Sequence, residues 1–210
     1  GIAVHAAAVT SSHFCAAERQ FRLPLEYGGQ RTPTSQWTAT ASGAAVVAHG
    51  EKGPFVKEIS IGKITDMGIT DANNMGAAMA PAAYETIKTF LQDTNTAPSD
   101  YDLILTGDLG QVGTKVLLEL LQKDNIDISG VHNDCGLMIY DMEKQDVHAG
   151  GSGCGCSASV LCGYIMQEIT AKRLNEVLFV ATGALMSPTS VQQGESIPGI
   201  AHLIHLSSSK

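Results

Sequence analysis

Apolar positions along the chain recur at two spacings, and the changes from one to the other mark the elements. The run 2–10 is apolar, short and closed by Ser11 and Ser12, which predicts a central strand opening into a loop. Residues 11–36 carry turn formers at Pro24, Gly28, Gly29 and Pro33 and show no period, so they predict one long loop of the kind that carries function. Residues 37–49 start β-prone and end apolar; Ser42 and Gly43 interrupt them, predicting a strand with a tight bend, and 50–54 a turn. In 55–66, Val56, Ile59, Ile61 and Ile64 alternate loosely with charges, as in a half-exposed strand.

A spacing of four then takes over at Met75, Met79, Ala83, Ile87 and Leu91. This predicts a helix over 74–94, capped by Asn73 or Asn74, with Pro81 either kinking it or marking its true first turn. Strand 101–105 passes through Gly107-Asp108-Leu109-Gly110 into a helix over 111–124 that gathers Val112, Val116, Leu117, Leu120 and Leu121 on one face. A short helix over 133–145 capped by Asp134, a long buried helix of small residues over 157–173, and strands at 176–182 and 200–206 complete the chain. The order predicts an α/β fold, a mixed sheet with helices on at least one face.

Composition sharpens this picture. Of 210 residues, 44% are apolar and 16% charged, which suits a packed globular protein. Twenty-two glycines against 5% aromatics favour helices lying close to a sheet. A net charge of −8 with 13 scattered Lys and Arg argues against nucleic acid as a partner. No apolar run reaches the roughly 18 residues of a membrane-spanning helix, which leaves docking onto a membrane complex open. Five cysteines, three of them at 154, 156 and 162, suggest a reducing compartment. Because the chain opens at Gly1 directly on a strand with nothing ahead of it to pair with, it is expected to be a fragment of a larger fold.

Four constellations could carry chemistry. Thr106, Gly107, Asp108 and Gly110 sit between a strand end and a helix start, where backbone N–H groups and the helix dipole favour an anion; a plain cap by Asp108 is the alternative. His148, Cys154, Cys156 and Cys162 supply soft ligands, but the Cys-x-Cys spacing and a cysteine inside a buried helix fit small core residues better than zinc, and no metal is expected. Cys15, Cys135 or Cys154 is a candidate nucleophile; Cys135 has His132, Asn133 and Asp134 beside it to lower its pKa. Arg19 and Arg22 form a close pair that suits a dicarboxylate, or an ion pair with Glu18 or Glu26.

Several strings carry a family resemblance. The segment 40–48, the loop after 101–105, GSGCGCSASV, and the ending LFVATGALMSP through IAHLIHL resemble the thiolase superfamily, above all its ketoacyl synthase branch. AERQFR, EYGGQ, LTGDLG, DCGLMIYD and HAGGSGCGCSASVLCGY resemble the stage V sporulation protein AD family over nearly the whole chain. The resemblance implies a thiolase-like fold of two similar α/β halves, with 1–50 ending the first half, including the long loop 11–36, and 54–206 forming the complete second. It also implies that the nucleophile lies upstream of Gly1, that Gly107 stands where condensing enzymes place a histidine, and that Cys154 stands where they place an asparagine.

The expected function is therefore non-catalytic and without cofactor. By resemblance, the protein binds dipicolinic acid (pyridine-2,6-dicarboxylate), free or as its calcium chelate, for uptake into developing spores. Its partners would be membrane proteins of the same operon, its place the cytoplasmic face of the inner spore membrane, and its full-length form a homodimer. The expected ligand residues are Gly107, Asp108, Gly110, Ser152, Gly153 and Cys154, with Arg19 and Arg22. A structural role in a spore membrane complex and a thiolase-type condensing activity are the alternatives.

Overall fold

The structure, a computed structural model, describes residues 4–13 and 32–210. Strands β1 (His5–Ser12) and β3 (Ala41–Ala48) pair antiparallel, from His5 opposite Ala48 to Ser12 opposite Ala41. The two-residue strand β2 (Trp37–Thr38) lies parallel to β7 (Gly151–Ser152). The remaining strands form one mixed sheet: β4 (Phe55–Ser60), β5 (Leu103–Thr106), β6 (His132–Asp134), β8 (Glu176–Ala184) and β9 (Gly199–Ser207), in the order β4-β9-β8-β5-β6. Within it β5 runs parallel to β6 and β8, while β9 is antiparallel to β8 and β4.

Helices cover both faces, and the period of two along each strand sorts side chains between them. Ile104, Leu178, Val180, Ala201 and Leu203 point to α1 (Met75–Thr94) and α2 (Gly110–Lys123), packing with Ile87, Leu117 and Leu121. Their neighbours Leu105, Val177, Phe179 and Leu206 point the other way, onto Cys156, Val160, Ile165 and Ile169. That second face is covered by α4 (Cys154–Val160), which continues through a π turn (Leu161–Ile165) into α5 (Met166–Thr170). Among the described residues there are two further short α-helices, α3 (Cys135–Met138) and α6 (Pro188–Gln192). Each large side chain so buried contributes about 1.5–3 kcal/mol.

Helix α1 starts and stops where capping chemistry allows. Asn74 Oδ1 accepts from the Ala77 N–H at 3.4 Å, and Asn95 closes the far end with φ 52°. Pro81 lies inside the helix, buried, and does not end it.

The structure corrects several expectations. The first strand, read as central and buried, leaves His5 through Val9 exposed, because among the described residues β3 alone pairs with it. The break in 37–49 falls at residues 39–40; Gly43 lies within β3, where a Cβ would stand 2.6 Å from Ala158 O, so this glycine permits close approach to α4 rather than a bend. The helix expected from 157 begins at Cys154, and of the helix expected over 133–145 only Cys135–Met138 is helical, capped by Asp134 as expected. Arg19, Arg22 and Cys15, with most of the long loop, lie outside the described residues.

Candidate functional site

The carboxyl end of the sheet gathers the expected residues. Strand β5 ends at Thr106, the chain turns through Gly107, Asp108 and Leu109, and α2 begins at Gly110. Parallel pairing with β8 sets Thr106 opposite Val180, which carries Thr182 to the same end. Asp108 ties the region together: Oδ1 accepts from the Thr182 hydroxyl at 2.9 Å, and Oδ2 accepts from the Gly153 N–H at 2.7 Å. Gln36 Nε2 donates at 2.8 Å to the carbonyls of both Asp108 and Gly151. Gly107 and Asp108 with Gly110 at the start of α2, and Gly153 between Ser152 of β7 and Cys154 of α4, thus form two adjoining turns, joined at Asp108–Gly153.

The anion at the amino end of α2 is supplied by the protein. Asp134, fully buried, accepts from the N–H groups of Leu109 (2.8 Å), Gly110 (2.9 Å) and Gly136 (2.9 Å) and from the Thr106 hydroxyl (2.6 Å). Gln111 N–H donates to Ala149 O. The N–H groups of Leu109 and Gly110 are therefore spent inside the protein, which corrects the expectation that they face an external ligand. Gly110 is required by its backbone, with φ 61° and the Ala149 carbonyl where a Cβ would stand.

Burial dominates the electrostatics here. It raises the Asp134 carboxyl from 3.8 to about 6, against hydrogen bonds from Thr106, Gly110 and Leu109. It lowers His132 from 6.5 to about 4; the ring sits 3.1 Å from Thr106 Oγ1, which gives its own proton to Asp134 and so accepts from Nε2. The Cys135 thiol, expected to be made acidic by its neighbours, is pushed well above its usual value by burial and by the charge of Asp134. Cys156 is likewise raised, while Cys154 is exposed, with its thiol 3.2 Å from the Ser11 carbonyl. Among the described residues no three His, Cys, Asp or Glu side chains converge as a metal site would need.

At Gly107 a side chain is blocked. A Cβ there would lie 2.6 Å from Thr182 Oγ1, 2.9 Å from Thr182 N and 3.1 Å from Ser157 Oγ. Thr182 and Ser157, which approach Gly107, are partly open to solvent, as are Cys154 at the start of α4 and the Ser11 whose carbonyl its thiol meets, so this end of the sheet presents neutral hydroxyl and thiol groups. Thr182, Ser157, Gln36 and Asp134 were not among the sequence-derived site residues. The signal available for Thr182 is its place at the end of the strand predicted at 176–182; Asp134 enters the sequence reading only as a helix cap and as a neighbour of Cys135.

The sequence profile for stage V sporulation protein AD matches residues 1–207. The chain is 50% identical over 202 residues to stage V sporulation protein AD of Bacillus subtilis (strain 168), which covers 96% of the chain and 60% of that relative, so the chain spans less than two thirds of the relative's length. Among solved structures it is similar to the tetronic acid condensing enzyme AbyA1 (TM-score 0.52, 16% identity, 99% of this chain and 60% of that one). It is also similar to 3-oxoacyl-(acyl carrier protein) synthase III of Pseudomonas aeruginosa PAO1 (TM-score 0.45, 10% identity, 83% and 52%). The likeness to AbyA1 shows the fold, the thiolase-like fold of condensing enzymes.

Proposed function

The chain belongs to the stage V sporulation protein AD family, and from that premise we propose that it is a non-catalytic receptor for pyridine-2,6-dicarboxylate, free or as its calcium chelate. The observation that carries this reading is Gly107. At the position where the resemblance puts a condensing enzyme's histidine there is no base, and Thr182 and Ser157 close the space a side chain would enter. Cys154, where the resemblance puts an asparagine, has no amide to hold an oxyanion. What remains is a mouth of hydroxyl, thiol and backbone groups between the ends of β1 and β8 and the start of α4, suited to hydrogen bonding a planar acid.

In this reading the ligand meets Gly107, Ser152, Gly153 and Cys154, while Asp108 and Gly110 hold the two loops in place. Arg19 and Arg22 enter on the sequence alone, as bidentate partners for the two carboxylates. Among the described residues no helix is long and apolar enough to cross a membrane; attachment to the inner spore membrane would run through membrane proteins of the same operon.

Titration calorimetry of the intact protein tests the reading, with the 2,4-dicarboxylate isomer as control. Saturable, isomer-selective binding that Gly107→Leu weakens at least tenfold supports it. Folded protein that does not distinguish the isomers overturns it and favours a structural partner in a membrane-associated complex.

A further inference from the structure

We propose that Asp134 is the positioning residue of this mouth: it touches no ligand, and by holding Thr106, Leu109, Gly110 and Gly136 together it fixes the loop that presents Gly107 and Asp108. The inference rests on the receptor reading for what the loop binds, but the hold itself is independent of any ligand. One carboxylate bonds the last residue of β5, the last loop residue, the first residue of α2 and the second residue of α3. Loss of its charge therefore loosens the loop at its root, and Asp108 passes the change on to Gly153 through their 2.7 Å bond.

The charge on Asp134 is open to titration. Its carboxyl is raised to about 6 by burial, and the groups facing it are Asp108 across the loop, His132 on β6 through Thr106, Cys135 on α3 and Cys156 on α4. At neutral pH it is ionised and accepts all four donors. A proton on either oxygen turns an acceptor of two hydrogen bonds into a donor and displaces at least one of them. The sign for stability is opposite to the sign for binding. Because the folded value lies above the ordinary 3.8, charging this group costs stability above pH about 6, and acidification toward pH 5 relieves that cost. A merely structural carboxylate would not separate the two.

The test compares the intact protein with Asp134→Asn in two measurements between pH 7.5 and 5. In the first, calorimetric affinity for dipicolinate is followed, the ligand's own titration cancelling in the ratio of parent to variant. The parent loses tenfold or more of its affinity through pH 6 while its melting temperature does not fall; the variant is weak and flat across the range. In the second, amide protection over 106–110, taken relative to the intrinsic exchange rate at each pH, is read without ligand: it falls in the parent on acidification and is already low in the variant. A parent that never binds the ligand overturns the receptor reading, yet the exchange measurement still decides the hold. Equal exchange over 106–110 in folded parent and variant, or equal affinities with parallel pH profiles, overturns the role of Asp134.

Discussion

Asp108 and Asp134 are both buried acids, yet they hold different things. Asp134 holds its own loop, whereas Asp108 holds that loop to the next through Thr182 and Gly153. Thr182 also accepts from the Asp108 N–H at 3.0 Å, so Thr182→Val removes one bond as donor and one as acceptor. The expected cost is about 1–3 kcal/mol in denaturant unfolding, with faster amide exchange at Gly153. A loss below about 0.5 kcal/mol would mean that water replaces the hydroxyl. At this scale the sequence made Gly107, Asp108 and Gly110 visible as a strand-to-helix turn rich in glycine. It hid Asp134, because four bonds to residues 2 to 28 positions away leave no local signature beyond a cap.

The helices show the same division one level up. The spacing of four in α1 was legible, and so was the packing of that face. Its crossing with α2 was not: Gly76 and Gly113 face each other, and a Cβ on Gly113 would stand 2.6 Å from Gly76 O. Gly113→Val should therefore force the helices apart and destabilise the protein by about 1–3 kcal/mol, read from the shift in unfolding midpoint. Gly113→Ala, with one carbon added at the same spot, should cost less. The π turn at Leu161–Ile165 and the early start of α4 at Cys154 also escaped the sequence, because both depend on what packs alongside. Gly155 lies under Ala41 and Ser12, a closeness that no periodicity encodes.

Across the whole molecule, apolar surface is distributed unevenly. Val4, Val9, Val46 and Val47 on and beside the β1–β3 ribbon are 53–75% exposed, and Ile59, Ile61, Ile64 and Met67 along and beyond β4 are 55–84% exposed. Exposed apolar surface of this kind favours association. With the chain spanning 60% of its relative, the 210-residue chain by itself should self-associate through the ribbon. Val9→Thr with Val46→Thr should lower its weight-average mass in sedimentation at fixed concentration and leave the melting temperature unchanged. An unchanged mass would place the association elsewhere, on β4.

The sequence by itself determined the order and type of most elements, since alternation and helical spacing are local consequences of which side chains must leave water. It also determined the family, through strings such as LTGDLG and HAGGSGCGCSASVLCGY, and marked 106–110 as a strand-to-helix loop. Only the tertiary structure decided what that loop faces. The parallel pairing of β5 with β8 brings Thr182 to Asp108, and the pairing with β6 brings Asp134 under the first turn of α2. Both partners come from elsewhere in the chain, and their effect on charge depends on burial, which the residues acquire only once the two faces of the sheet are covered.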